Sequence, residues 1–164
     1  MVIISLLTWL TNGSLRNPYC FFFGGTTSLQ TIKLPDETEG HLFATNASNL
    51  SYMFGHCLSL KDITLNGDFG KNAEYMAGIF QYCSSLSTIS INGDFGEKAK
   101  DLSYVFEACY ALKDINVSPN FGANALNLNY AFGMCNSLRN INFGNQSKFG
   151  LASQTSSDFT CAHM

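Results

Sequence analysis

Charge is the scarcest ingredient of this chain. Charged residues make up 13% of the sequence, about half the usual share, and the nine lysines and arginines never form a run. With a formal net charge of −3 there is no basic footprint for a phosphate backbone to grip, which argues against nucleic acid as a partner. Long apolar runs are missing as well. No stretch reaches the roughly 20 apolar residues that a membrane-spanning helix needs, so no membrane span is expected. Sets of ligating side chains are equally thin: no compact cysteine–histidine cluster exists to hold a metal. The uncharged polar surface must come from Asn, Ser, Thr and Gly, a composition common in extracellular and surface-displayed proteins.

What the chain has instead is a word repeated in register: YMFGHCLSLKDITL (52–65), GIFQYCSSLSTISI (78–91), YVFEACYALKDINV (104–117) and YAFGMCNSLRNINF (130–143). Cys57, Cys83, Cys109 and Cys135 stand 26 residues apart, and Cys161 keeps the step. Leu60, Leu86, Leu112 and Leu138 share the spacing, as do Ile63, Ile89, Ile115 and Ile141. Identity at so many offsets marks a repeat array, whose core runs along the stack of units. An earlier unit carries Leu29, Ile32 and Leu34 at a step of 31 residues from Leu60, Ile63 and Leu65. The five extra residues fall in PDETEGHLF (35–43), whose acidic cluster Asp36, Glu37 and Glu39 reads as a solvated loop.

Two periodicities alternate within a unit. Ala47, Leu50, Phe54 and Cys57 are spaced 3, 4 and 3, an apolar stripe that predicts a short helix. The same stripe returns in the next three units, and in the last Gln154 and Asp158 stand where Leu and Phe belong. After the leucine the period becomes two, with Ile63 and Leu65 inward and Asp62 and Thr64 outward, which predicts short strands near 61–65, 87–91, 113–117 and 139–143. Turns such as NGDFG (66–70) return a phenylalanine to the core. The fold class expected is an α/β solenoid with a parallel strand ladder on one face and short helices on the other. Residues 1–19 are expected to be an N-terminal cap or the stub of a longer chain, and 20–164 the solenoid, about five units with the last degenerate or cut short.

Six cysteines in a short chain invite a disulfide framework. The column position argues for buried free thiols instead, since buried cysteine behaves as a small hydrophobe. A bridge between neighbouring coils, roughly 5 Å apart, is allowed by distance, although a parallel column presents the sulfurs poorly.

The segment LKDITL with its following turn resembles the LxxLxL core of leucine-rich repeats, and YMFGHCLSL and YVFEACYAL resemble the hallmark of the BspA-like class with its 26-residue surface-protein repeats. The resemblance covers roughly residues 20–161. It implies a leucine-rich-repeat arc, and roles of adhesion, matrix binding or self-association without catalysis, in proteins displayed on the cell surface or secreted. The partner it implies is another protein or a surface or matrix component. The competing expectation is a structural spacer or self-assembling array joined through its ends.

On this frame the candidate binding residues are the outward strand positions Asp62, Thr64, Thr88, Ser90, Asp114, Asn116, Asn140 and Asn142, with Thr31 and Lys33 in the first unit. They form two columns of small polar groups. Any exposed strand face must be polar, and these columns lack the aromatics and arginines that usually anchor a protein interface. Tyr52, Tyr104 and Tyr130 share an offset that Gly78 interrupts. They are either an exposed aromatic strip or rings laid over the apolar stripe. No catalytic residue, metal site or cofactor is expected. His41, His56 and His163 fall in unrelated registers, and Asp62 and Asp114 are separated by the coil of Thr88. Asp68 and Asp94 offer one carboxylate per turn, too few for calcium. Sequons stand at Asn12, Asn46, Asn49, Asn116 and Asn145.

Overall fold

The short outward–inward alternation at the end of each repeat does form strands. In a computed structural model, which describes residues 23–33, 47–66, 69–117 and 120–142, they are β1 (Thr31–Lys33), β2 (Asp62–Asn66), β3 (Thr88–Asn92), β4 (Asp114–Asn116) and β5 (Asn140–Asn142). They make one parallel sheet in the order β1-β2-β3-β4-β5. The register follows the repeat: Ile32 pairs with Ile63, Ile63 with Ile89, Ile89 with Ile115 and Ile115 with Ile141. The 31-residue first step is thereby confirmed, so the extra residues lengthen a connection without shifting the ladder. The N-terminal stretch 1–19, the acidic loop at 35–43 and the final unit around Cys161 lie outside the described residues.

The wall opposite the sheet differs from the expectation. No helix occurs among the described residues; the segments carrying the 3-4-3 stripe are runs of tight turns. The cause is a left-handed residue at every fourth position: Tyr52 (φ 59°) and His56 (60°), then Gly78 (59°) and Tyr82 (60°), Tyr104 (59°) and Ala108 (57°), Tyr130 (55°) and Met134 (58°). Such a residue cannot continue a right-handed helix. It suits the third place of a type II turn, and the hydrogen bonds agree. Met53 N–H donates to the Leu50 carbonyl (3.2 Å), and Cys57 N–H to Phe54 (3.2 Å), each closing a turn on itself. Gly55 N–H likewise closes onto Tyr52 (2.9 Å), while the alternate amides of the stretch reach the next coil: Leu50 donates to Tyr75, Tyr52 to Ala77, Phe54 to Ile79 and His56 to Gln81, at 2.7–2.9 Å. The apolar spacing near 3.5 is therefore the period of consecutive turns, which the sequence alone does not separate from a helix.

A further ladder of single parallel bridges joins Asn49, Tyr75, Asp101 and Asn127. Between the walls the core is built of identical residues stacked on one another. Phe23, Phe54, Phe80, Phe106 and Phe132 form one column of rings with centroids 5.4–5.5 Å apart. Phe69, Phe95 and Phe121 from the turns form a second, at 5.1–5.5 Å. Each offset stack adds about 0.5–1.5 kcal/mol beyond the area it buries. Leu60, Leu86 and Leu112 are wholly buried behind the sheet. Met53, Ile79, Val105 and Ala131 are equally buried, a second inward position of the turn wall that the 3-4-3 stripe omits.

Candidate functional site

The sheet brings the outward strand residues together as two straight columns. One runs Thr31, Asp62, Thr88, Asp114, Asn140 and the other Lys33, Thr64, Ser90, Asn116, Asn142. Neighbouring strands lie about 4.8 Å apart and alternate residues about 6.6 Å, so the face is a regular grid of carboxylate, hydroxyl and amide groups. Asp62, Thr88, Asp114, Asn116, Asn140 and Asn142 are exposed; Thr64 and Ser90 are half-buried. Side chains bond one another along the columns: Asn140 Nδ2 donates to Asp114 Oδ1 (2.6 Å) and Asn142 Nδ2 to Asn116 Oδ1 (3.2 Å). These bonds fix the rotamers of the β4 and β5 end of the grid before any partner arrives, which lowers the ordering cost of binding there.

The tyrosine strip on the turn wall resolves into one stack and one overlay. Tyr104 and Tyr130 stack with centroids 5.5 Å apart and planes 4° off parallel. Tyr52 leans across the place of the missing ring, so that a Cβ at Gly78 would meet its Cε1 at 2.4 Å. Beside them the exposed His56 stacks on Tyr82 at 4.8 Å.

The cysteine column is buried, and Cys57, Cys83, Cys109 and Cys135 are free thiols. Each has a polar duty that spacing did not reveal. Cys57 Sγ donates to the Phe23 carbonyl (3.0 Å), Cys83 to Phe54 (3.1 Å), Cys109 to Phe80 (3.2 Å) and Cys135 to Phe106 (3.0 Å). The thiol of one coil thus caps a carbonyl of the coil before it. Burial pushes the Cys109 thiol well above its usual 9.0. Cys83 is pushed up by its hydrogen bond with the Cys57 sulfur and then by burial. Cys57 is drawn down by that same bond, helped by Thr26, whose Oγ1 lies 3.3 Å away.

Among the described residues no group of three or more His, Cys, Asp or Glu side chains is clustered to hold a metal, and no helix is long and apolar enough to cross a membrane. Asp94 Oδ1 accepts a hydrogen bond from Asn120 Nδ2 (2.9 Å). Asp62 and Asp114 stand on either side of Thr88. The sequon at Asn49 has a local structural role: Asn49 Oδ1 accepts the Ser51 N–H (2.9 Å), as Asp101 accepts Ser103 (3.0 Å) and Asn127 accepts Asn129 (3.1 Å). This side-chain turn opens three units. Its signal, Asn or Asp two places before a polar residue at the repeat step, was readable in the sequence.

A one-coil unit of turn wall, thiol cap and strand, stacked in parallel, defines a leucine-rich-repeat solenoid. The chain belongs to the BspA type leucine rich repeat family, whose model matches residues 14–129 in 6 copies. No curated protein and no solved structure matches it.

Proposed function

We propose that this chain is a non-catalytic protein-binding or adhesion module, displayed on a cell surface or secreted, that engages a protein or matrix component through its sheet face. The observation that carries this reading is the paired column Asp62–Thr88–Asp114–Asn140 and Thr64–Ser90–Asn116–Asn142, held in register by the sheet and, between β4 and β5, by side-chain bonds. Family membership supports it, because a leucine-rich-repeat array presents an extended surface of this kind. The test is a pull-down with the array and with a variant carrying Thr64→Arg, Ser90→Arg and Asn116→Arg. Loss of partners from the variant supports the sheet face; an unchanged set of partners rejects it.

A further inference from the structure

The cations that lie far apart along the chain converge in space. Lys61, Lys113 and Arg139 occupy one register position, the residue before the strand, with Gln30 and Ser87 in the other two coils. Their backbones are tied coil to coil: Ser87 N–H donates to the Lys61 carbonyl (2.9 Å) and Arg139 N–H to Lys113 (2.7 Å). All three side chains are exposed, and none forms an ion pair or side-chain hydrogen bond among the described residues. On the far side of the coil the lysines are engaged: Lys98 with Asn72 at 2.8 Å and Lys100 with Glu74 at 2.9 Å. The unengaged column thus holds two cations in adjacent coils, whose backbones lie about 4.8 Å apart, and a third two coils further.

Apolar groups run alongside. Of the seven large hydrophobic side chains left exposed among the described residues, four are immediate neighbours of the column cysteines: Leu58 (43% exposed), Tyr82 (37%), Tyr110 (37%) and Met134 (47%). The Leu58 N–H donates to the His56 carbonyl, Ser84 to Tyr82 and Asn136 to Met134 (each 2.9 Å), so the chain doubles back around Cys57, Cys83 and Cys135. Both flanking positions therefore crowd the same corner. Leu58 and Tyr110 precede Lys61 and Lys113 by three residues, a span of chain that reaches at most about 10 Å. Tyr82 and Met134 hold the position before the cysteine and Leu58 and Tyr110 the position after it, so each of these four coils sets one exposed apolar side chain beside its cysteine, a recurrence that scattered single residues do not show.

An apolar row beside an unpaired cationic row selects its occupant. A sulfated glycan would use the cations and leave the leucine, methionine and tyrosines wet. A wholly apolar partner would leave the cations unmatched. We infer that this coil corner, from Tyr82, Leu58, Tyr110 and Met134 across to Lys61, Lys113 and Arg139, docks an acidic segment of a partner protein whose carboxylates alternate with large apolar side chains. Tyrosine and arginine are the residue types that dominate protein hot spots, and they stand here, outside the sheet face. Asp62 and Asp114 directly follow the lysines without neutralising them. Consecutive residues of extended chain point different ways, and the Asp114 carboxylate accepts the Asn140 amide. The corner site does not depend on the sheet-face reading.

The test begins by panning a random dodecapeptide library displayed on phage against the full chain. The enriched peptides are then titrated by fluorescence anisotropy. The expected enrichment combines Asp or Glu with Leu, Phe, Tyr or Trp. Affinity for those peptides should fall at least about tenfold in the Lys113→Glu/Arg139→Glu variant and about tenfold in Tyr110→Ser. It should hold in the Thr64→Arg/Ser90→Arg variant, which separates this site from the sheet face. Thermal unfolding establishes that each variant is folded. Enrichment of neutral or basic peptides, no enrichment, or affinity indifferent to both corner variants overturns the proposal. So does heparin binding lost on charge reversal but untouched by Tyr110→Ser, if no acidic peptide competes with it.

Discussion

The ring of Tyr52 lies where a side chain at Gly78 would begin, its Cε1 2.4 Å from the position of the missing Cβ. Gly78 also has φ 59°, so two independent constraints meet at one glycine. The neighbouring coils show that the backbone alone does not demand glycine. Tyr104 and Tyr130 adopt the same backbone at this register and stack together.

Gly78→Ala should therefore destabilise the fold by about 1–2 kcal/mol, from the left-handed backbone and the displaced tyrosine. Gly78→Tyr should recover part of that loss by completing the stack between Tyr52 and Tyr104, each such pair contributing about 0.5–1.5 kcal/mol. Urea unfolding of the two variants beside the parent checks the order.

Met134 presents the opposite case: a left-handed residue, φ 58°, with an exposed side chain. Met134→Gly relieves backbone strain of about 1–2 kcal/mol against an unfolded-state cost of about 0.5–1 kcal/mol. A net gain up to about 1 kcal/mol is expected, read as a higher denaturation midpoint. A lower midpoint would mean that the methionine packs on something that its exposure hides.

Phe80 stands in the middle of the ring column, wholly buried between Phe54 and Phe106. Phe80→Ala should cost about 3–5 kcal/mol, and Phe80→Leu distinctly less because volume is better kept. Denaturant curves give both values. Equal losses for the two would argue that ring stacking outweighs packing volume.

The thiol column predicts a pH dependence. Burial raises the Cys109 pKa well above 9.0, so the folded state keeps a proton that the unfolded state gives up. Folded molecules then bind more protons, and stability falls as pH rises above the unfolded value. The stabilisation from keeping Cys109 neutral is complete below about pH 9 and is lost at about 1.4 kcal/mol per pH unit above it. Cys109→Ala should remove this one-proton slope between pH 9 and 10.5 while lowering stability at neutral pH. An unchanged slope would locate the alkaline sensitivity elsewhere.

Much of this architecture was legible because the sheet obeys the repeat step. Ile32 finds Ile63 across a 31-residue connection and Ile63 finds Ile89 across 26 residues, as the aligned words require. The outward columns from Asp62 to Asn140 and from Thr64 to Asn142 follow from that register alone. The turn wall was not legible for a physical reason. Inward residues spaced 3 and 4 satisfy a helix and a run of type II turns equally well, and the deciding variable, a positive φ at residues as unlike as Tyr52, His56, Ala108 and Met134, has no single residue type to announce it. Other features emerge only when coils are laid on one another. The thiol of Cys83 meets the carbonyl of Phe54, and Lys61 falls into line with Lys113 and Arg139.

From Leu50 to His56, and at the equivalent positions of the next two coils, the coil-to-coil amide bonds of the turn wall run one way, whereas at its start Glu74, Lys100 and Leu126 N–H donate back to Ser48, Glu74 and Lys100. Leu50, Tyr52, Phe54 and His56 donate forward to the following coil, as do Met76, Gly78, Phe80 and Tyr82, and then Leu102, Tyr104, Phe106 and Ala108. Peptide dipoles aligned in this sense add, as they do along a helix, but here they add along the stacking axis. On this stretch of wall one side of a coil offers mainly N–H groups and the other mainly carbonyls, the Ser48 carbonyl and the thiol-capped Phe54 carbonyl facing the other way. Two copies meeting like to like through it would set donor against donor, so any contact through this wall that satisfies its groups must be head to tail. Such heterologous contacts close into rings or continue as filaments, and a symmetric pair would have to form through some other surface.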